Sequence, residues 1–67
     1  MALIEIVQIF EFGNAINQAV QDYSRAIQLN PKDGSYYKNR GLAYQALGRN
    51  IKAGDDFAKA KQLGYNG

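Results

Sequence analysis

An internal repeat with a period of 34 residues constrains the fold of this chain more than any other feature. Residues 18–31 return as residues 52–65 with five identities and two conservative replacements. The identical pairs are Ala19/Ala53, Asp22/Asp56, Ala26/Ala60, Gln28/Gln62 and Leu29/Leu63, and the replaced pairs are Tyr23/Phe57 and Arg25/Lys59. A fixed period of this length is typical of stacked units that cannot bury an apolar face alone. The repeat therefore predicts a binding surface and not a catalyst.

The composition excludes several classes of function. A chain of 67 residues makes one small domain, which buries about 60% of the surface that its unfolded form exposes. With no Cys and no His, the chain lacks a thiol nucleophile and the two commonest transition-metal ligands. The adjacent Asp55 and Asp56 point to different faces of a helix and do not form a catalytic pair. We expect no metal, no cofactor and no enzymatic activity.

The N-terminal segment is apolar without having the pattern of a targeting or membrane segment. Glu5, Gln8 and Glu11 interrupt residues 1–12 every three positions, and no basic residue precedes them. A membrane span would need about 20 predominantly apolar residues. We therefore expect a soluble protein with no membrane partner, and the absence of cysteine fits a cytoplasmic location.

Charge is distributed unequally between the two halves. Residues 1–34 carry two basic and four acidic residues, a net charge of −2, whereas residues 35–67 carry six basic and two acidic residues, a net charge of +4. One interpretation is a solvated helix surface. The other is a basic second unit that prefers acidic peptides or an acidic neighbouring unit.

Periodicity and turn residues predict four helices. In the first, over residues 3–12, polar residues recur every three positions, which favours a helix over the strand that its β-branched residues would allow. Gly13 is expected to break this helix and Asn14 to cap the second. The second helix is expected to end near Leu29, because Pro31 cannot continue it. Its predicted inner face is Ile16, Ala19, Val20, Tyr23, Ala26 and Ile27.

Residues 32–35 form the next predicted turn, and residues 48–50 separate a third helix from a fourth. The predicted inner face of the third helix is Tyr37, Gly41, Tyr44 and Leu47. That of the fourth helix is Ile51, Ala53, Phe57, Ala60 and Leu63. Small residues beside large ones let antiparallel helices approach closely while the rings fill the remaining space. The pattern predicts two helix-turn-helix hairpins in tandem.

These residues resemble the tetratricopeptide repeat (TPR) family over nearly the whole chain. The second repeat carries the family's first-helix pattern at Tyr37, Gly41 and Tyr44, its turn glycine at Gly48, and its second-helix pattern at Ala53, Phe57 and Ala60. The first repeat matches at Ala19, Tyr23, Ala26 and Pro31. Its first helix departs from the family, with Leu3, Val7 and Phe10 in place of an aromatic residue, a glycine and a tyrosine.

The resemblance implies an all-α fold of two tandem antiparallel hairpins, a TPR-like fragment of a right-handed α-solenoid. Residues 1–67 would form one domain, with repeat one at 1–33 and repeat two at 34–67. It also implies a scaffold that binds a protein, a peptide or a partner helix in a concave groove lined by the first helix of each repeat. The residues that would line this groove are Lys38, Asn39, Leu42, Glu5 and Gln8. The alternative for Lys38, Asn39 and Arg40 is a solvated face with the stem of Arg40 packed.

The two ends of the chain differ in the polarity of the surface that an adjacent repeat or a second copy would contact. Gly54 and Lys61 stand where a third repeat would need apolar residues, which predicts a polar capping face. In contrast, Ile4, Ile9 and Phe12 lie off the inner face of the first helix and would be exposed apolar residues. We expect them either to contact a preceding segment or to mediate self-association as a homodimer.

Nucleic-acid binding is the alternative function. The basic second repeat could contact phosphates while Tyr36 and Tyr37 stack on bases. The basic residues are spread around the helices, however, and Tyr37 is expected inside the hairpin. We therefore expect a protein or a peptide as the principal partner.

Overall fold

The protein is described by a computed structural model, in which the backbone of residues 2–65 and the side chains of residues 13–65 are placed. These residues form three α-helices: α1 (Ala2–Leu29), α2 (Gly34–Ala46) and α3 (Asn50–Gln62). No strand occurs within residues 2–65. The all-α class, the helix over residues 3–12 and the helix end at Leu29 are confirmed.

The break expected at Gly13 is wrong, because α1 runs without interruption through this residue. A glycine inside a helix costs only about 0.5–1 kcal/mol relative to alanine, so it does not by itself end a helix. The turn between α2 and α3 instead uses Gly48 in the left-handed region, with φ of 76°. The residue 34 positions earlier is Asn14, which continues α1.

A close contact in the α2–α3 hairpin gives a second reason why the first repeat does not fold back in the same way. A Cβ atom at Gly41 would lie 2.6 Å from Cε1 of the Phe57 ring. The residues 34 positions earlier are Val7 and Tyr23. Valine carries two methyl groups beyond Cβ, so an equally close hairpin in the first repeat would be overpacked.

The α2–α3 hairpin forms as the sequence predicts. Asp33 caps α2 by accepting a hydrogen bond from the backbone N–H of Ser35 at 2.9 Å, which satisfies one of the free N–H groups at the helix start. Ala53 and Ala60 are each only 2% exposed and form the centre of the core. The inward-facing pattern of α3 is therefore confirmed at these two alanines.

The inward position predicted for Ile51 is wrong, since this side chain is 85% exposed. Ile51 precedes the buried Ala53 by two residues. Two residues correspond to about 200° around an α-helix, which places Ile51 on nearly the opposite side. Its apolar character therefore serves no packing role within the described part of the chain.

α2 lies between the other two helices and packs against both. The whole arrangement measures 46 × 21 × 17 Å, and its length is set by α1, which at 1.5 Å per residue is about 42 Å long. The division into repeat one at 1–33 and repeat two at 34–67 stays a prediction.

Candidate functional site

Two of the residues implied for the groove lie together on the solvent-exposed side of α2. Asn39 is exposed, and Leu42, three residues later, is 47% exposed. Residues three apart are neighbours on a helix surface. We call this pair the groove face; it offers an amide that can donate and accept hydrogen bonds beside an apolar side chain.

Lys38 borders the groove face but is half-buried. Its ammonium Nζ lies 6.0 Å from the centroid of the Phe57 ring and 5.7 Å from that of Tyr65. Both distances are within the range of a cation–π interaction. Lys38 therefore connects the groove-face side of α2 to the C-terminal end of the hairpin.

Five other residues singled out from the sequence lie outside the part of the chain whose side chains are described. They are Glu5 and Gln8, implied for the groove, and Ile4, Ile9 and Phe12, assigned to self-association. Their backbone is part of α1. These assignments stay predictions.

An ion pair between a partly buried arginine and a buried aspartate joins α2 to α3 behind the groove face. Arg40 donates to the Asp56 carboxylate through Nε at 2.8 Å and through a terminal nitrogen at 2.7 Å. Asp56 is only 5% exposed. Two parallel hydrogen bonds between a guanidinium and a carboxylate are stronger and more directional than a single one. The pair therefore fixes α2 against α3.

The same arginine also reaches α1. Its other terminal nitrogen donates to the Ser24 hydroxyl at 3.1 Å, and that hydroxyl donates to the Val20 carbonyl at 2.8 Å. The guanidinium carbon lies 5.5 Å from the centroid of the Tyr37 ring and 5.7 Å from that of Tyr44. Arg40 thus connects all three helices and holds the helix that carries the groove face.

The environment of Arg40 keeps it charged. Hydrogen bonding to Asp56 raises the pKa of the Arg40 guanidinium, against the opposing effect of burial. A raised folded-state pKa contributes stability that is complete below the unfolded value and is lost only as pH rises through the raised value. The Arg40 guanidinium is therefore charged throughout the neutral pH range.

The sequence contained a signal for this pair that periodicity could have revealed. Asp56 follows Ala53 by three residues and precedes Ala60 by four, so it lies on the same face as both alanines. A buried acid needs a cationic partner. The solvated-face interpretation of Arg40 is wrong, although it holds for the exposed Asn39.

The geometry bears on the alternative of nucleic-acid binding as well. Tyr36 and Tyr37 are half-buried, and one side of the Tyr37 ring faces the Arg40 guanidinium. A ring in this position presents less surface for stacking on a base. Nucleic-acid binding stays an untested alternative.

At the other end, Gly54 and Lys61 are both exposed on α3. No described atom outside the local helix backbone lies within 4 Å of a Cβ placed at Gly54. The polar face predicted for α3 is thus open to solvent within the described part of the chain. In residues 2–65, no helix has both the length and the apolar composition needed to cross a bilayer.

Comparison with known proteins identifies the class of this helical repeat. The sequence profile of the TPR repeat family matches residues 13–48, more than half of the chain. The chain belongs to the TPR repeat family. Members of this family generally mediate protein–protein interactions and are generally non-catalytic scaffolds.

Two relatives support this assignment. The chain is 33% identical over 58 residues to the protein SLOW GREEN 1, chloroplastic, of Arabidopsis thaliana, which covers 87% of this chain and 18% of that protein. It is 36% identical over 45 residues to the small glutamine-rich tetratricopeptide repeat-containing protein 2 of Mycosarcoma maydis, covering 67% of this chain and 13% of that protein. The chain thus spans less than a fifth of the length of either relative. No solved structure matches it.

Proposed function

We propose that this chain is a non-catalytic interaction module that binds a peptide or a partner helix on the groove face of α2. The observation that carries the proposal is the exposure of Leu42, which is 47% exposed beside the exposed Asn39. An apolar side chain next to an amide suits an extended peptide, which offers backbone hydrogen-bonding groups and an apolar side chain. Family membership supports the same function.

Charge suggests which peptides bind. The residues from 35 to 67 carry a net charge of +4, and Lys38 lies beside the groove face. A peptide with acidic residues near an apolar anchor would gain from both features. Acidic peptides are therefore the preferred ligand class, bound by an apolar contact to Leu42 and by hydrogen bonds to Asn39.

Peptide selection tests the proposal without knowledge of the natural ligand. A displayed library of random peptides is selected against the chain, and the enriched peptides are titrated against Leu42→Asp and Ile51→Asp. Both residues are exposed and apolar, but Ile51 is on α3, away from the groove face. We expect Leu42→Asp to weaken binding at least tenfold and Ile51→Asp to leave it unchanged.

Two outcomes would contradict the proposal. One is a selection in which no enriched peptide depends on Leu42. The other is a single-stranded oligonucleotide that binds more tightly than any selected peptide and weakens steeply with salt, since that dependence marks phosphate contacts.

Two further parts of the proposal concern the oligomeric state and the cellular location of the protein. We propose self-association as a homodimer through the N-terminal half of α1, where the sequence places Ile4, Ile9 and Phe12. We also propose a cytoplasmic location, supported by the absence of cysteine. Fractionation of cells that express the full-length protein tests the location, and recovery of the protein in an organelle would contradict it.

A further inference from the structure

Exposed cations are concentrated on and beside α3. They are Arg49, Lys52, Lys59 and Lys61. Asp55 is the exposed acid of this segment, since Asp56 is buried against Arg40. Four exposed cations and one exposed acid give the surface of residues 49–62 a net charge of +3. Within residues 13–65, none of the four cations forms an ion pair.

The repeat does not require this charge. The residues 34 positions before the four cations are Ala15, Gln18, Arg25 and Ile27. Residues 15–28 of α1 carry one basic and one acidic residue, a net charge of zero. Residues that a repeat needs for packing recur in each unit, as the pairs Ala19/Ala53 and Ala26/Ala60 do. The positive charge of α3 is therefore not a packing requirement.

Two of the cations stand where they oppose the stability of their own helix. Arg49 is the N-cap residue of α3 and makes no capping hydrogen bond through its side chain, and the first turn, which contains Lys52, has no acidic residue. The start of a helix carries a partial positive charge and favours acidic and capping residues. α2 follows this rule, since Asp33 caps it. A local rule broken by exposed residues indicates a role outside the fold.

An exposed stripe runs along the side of α3 that points away from α2. It consists of Ile51, Asp55, Ala58 and Gln62. Their spacing of four, three and four positions places them on one side of an α-helix, opposite the buried Ala53 and Ala60. We call this stripe, with Lys52 and Lys59 along its edge, the outer face of α3.

The outer face combines an apolar contact with a cationic edge. Ile51 is 85% exposed. A shallow depression of about 540 Å³ lies further along the face and is lined by Asp55, Ala58, Lys59, Lys61 and Gln62. The ammonium Nζ of Lys52 lies 5.6 Å from the centroid of the Tyr44 ring, within the range of a cation–π interaction. This contact holds Lys52 at the edge of the face.

We propose that the outer face of α3 docks an acidic amphipathic helix of another protein. Two apolar residues of that helix, seven positions apart, would contact Ile51 and Ala58. Acidic residues beside them would face Lys52 and Lys59, which are themselves seven positions apart on α3. The 13 residues of α3 span about 20 Å, so a partner helix of four turns covers the face. The proposal is independent of peptide binding to the groove face, which lies on α2.

The outer face suits a protein better than a nucleic acid. Asp55 lies in the middle of the stripe, where it would repel a phosphate backbone. A partner helix can place an uncharged residue opposite Asp55. Ile51 offers an apolar contact that phosphates cannot use, whereas an apolar side chain of a partner helix can.

A synthetic acidic helix tests the proposal by fluorescence anisotropy with the full chain. The probe is a peptide of about 16 residues, cross-linked to be helical, with two leucines seven positions apart between two rows of glutamates. We expect it to bind, and we expect Lys59→Glu to weaken binding by about tenfold or more. Ile51→Ser should weaken it as well. Arg25→Glu is the matched control, because Arg25 is the exposed equivalent of Lys59 on α1, and it should change binding by about twofold or less.

Reversal of charge on both partners provides a second measurement. A probe with lysines in place of its glutamates should bind the Lys59→Glu chain more tightly than the wild-type chain. No binding of the acidic probe at concentrations up to about 1 mM would overturn the proposal. Equal losses for Lys59→Glu and Arg25→Glu would also overturn it, because the attraction would then come from net charge alone.

Two further outcomes would assign the binding elsewhere and overturn the proposal. One is a single-stranded oligonucleotide that binds more tightly than the acidic probe and is insensitive to Ile51→Ser. The other is loss of probe binding in Leu42→Asp, which would place the probe on the groove face. Failure of the acidic helix to bind leaves the peptide site on α2 untouched, since that site is tested by peptides that depend on Leu42.

Discussion

α1 and α3 both pack against α2, but residues at equivalent positions of the repeat differ in burial between them. On α1, Ser24 bonds to Arg40 of α2, whereas Asp22 and Leu29 are exposed. On α3 the equivalent residues differ, since Asp56 is buried and Leu63 is half-buried. The repeat-conserved face is buried, and the uncovered side carries Gly54 and Lys61.

This difference shows that equivalent residues of the two repeats have different surroundings, which depend on the helix that precedes them in the sequence. Asp22 and Asp56 are equivalent in the repeat, yet Asp22 is exposed and accepts a hydrogen bond from Gln18, whereas Asp56 is buried against Arg40. The residue equivalent to Arg40 in the first repeat is Ile6. A conserved aspartate is thus part of the core only where the preceding helix supplies a cation.

Replacement of each of the two aspartates should give the largest difference in stability between equivalent positions. Asp56→Ala should destabilise the fold by about 1–3 kcal/mol, because it leaves the partly buried Arg40 guanidinium without its hydrogen-bonded partner. Asp22→Ala is the matched control and should change stability by about 0.5 kcal/mol or less. Urea unfolding followed by circular dichroism measures both.

Restoring neutrality tests whether the loss in Asp56→Ala comes from the unpaired charge. The double variant Arg40→Met with Asp56→Ala should be more stable than Asp56→Ala alone, since no buried charge remains. Equal losses for Asp22→Ala and Asp56→Ala would show that the two positions do not differ as described.

A comparable or smaller effect is expected when Gly41 of the second repeat is replaced by a branched apolar residue, since the equivalent residue of the first repeat is Val7. Gly41→Leu should destabilise the α2–α3 hairpin by about 1–3 kcal/mol, because even a Cβ atom at this position would lie 2.6 Å from the Phe57 ring. The same unfolding experiment gives the value. A second variant, Gly41→Leu with Phe57→Ala, should recover part of the loss if the ring is the obstacle. An unchanged midpoint for Gly41→Leu would mean that helix spacing does not distinguish the two repeats.

Much of the fold could be predicted from the sequence, because period and turn residues act locally. The end of α1 follows from Pro31, and the α2–α3 turn follows from Gly48, whose φ of 76° suits glycine. Gly13 misled the prediction because a glycine permits a turn without requiring one. Whether the chain turns there depends on packing between residues distant in the sequence, which a local signal does not report.

The candidate site shows the same limit. The exposed Asn39 and Leu42 follow from their positions on a single helix, and the resemblance to the TPR family identified them. The Arg40–Asp56 pair joins residues 16 positions apart, so it depends on how two helices are placed against each other. The burial of Asp56 could have been predicted from its spacing to Ala53 and Ala60, but the choice of Arg40 as its partner could not.

The smallest predicted effect concerns the uncovered side of α3. Gly54 occupies the position equivalent to Val20, which lies half-buried on α1. Gly54 lies inside a helix, is exposed, and has no described atom outside the local helix backbone within 4 Å of an added Cβ. Gly54→Ala should therefore stabilise the chain by up to about 1 kcal/mol, since alanine loses less backbone entropy in a helix than glycine does.

Val20→Ala is the matched variant on α1 and should destabilise, because it removes two methyl groups from a side chain that is partly buried. The two substitutions introduce the same residue at equivalent positions, so opposite shifts of the urea midpoint would isolate the effect of the neighbouring helix. If Gly54→Ala also destabilised the chain, the uncovered side of α3 would have to be covered in solution. The polar face would then be a contact surface, and the distinction between the two ends of the molecule would fail.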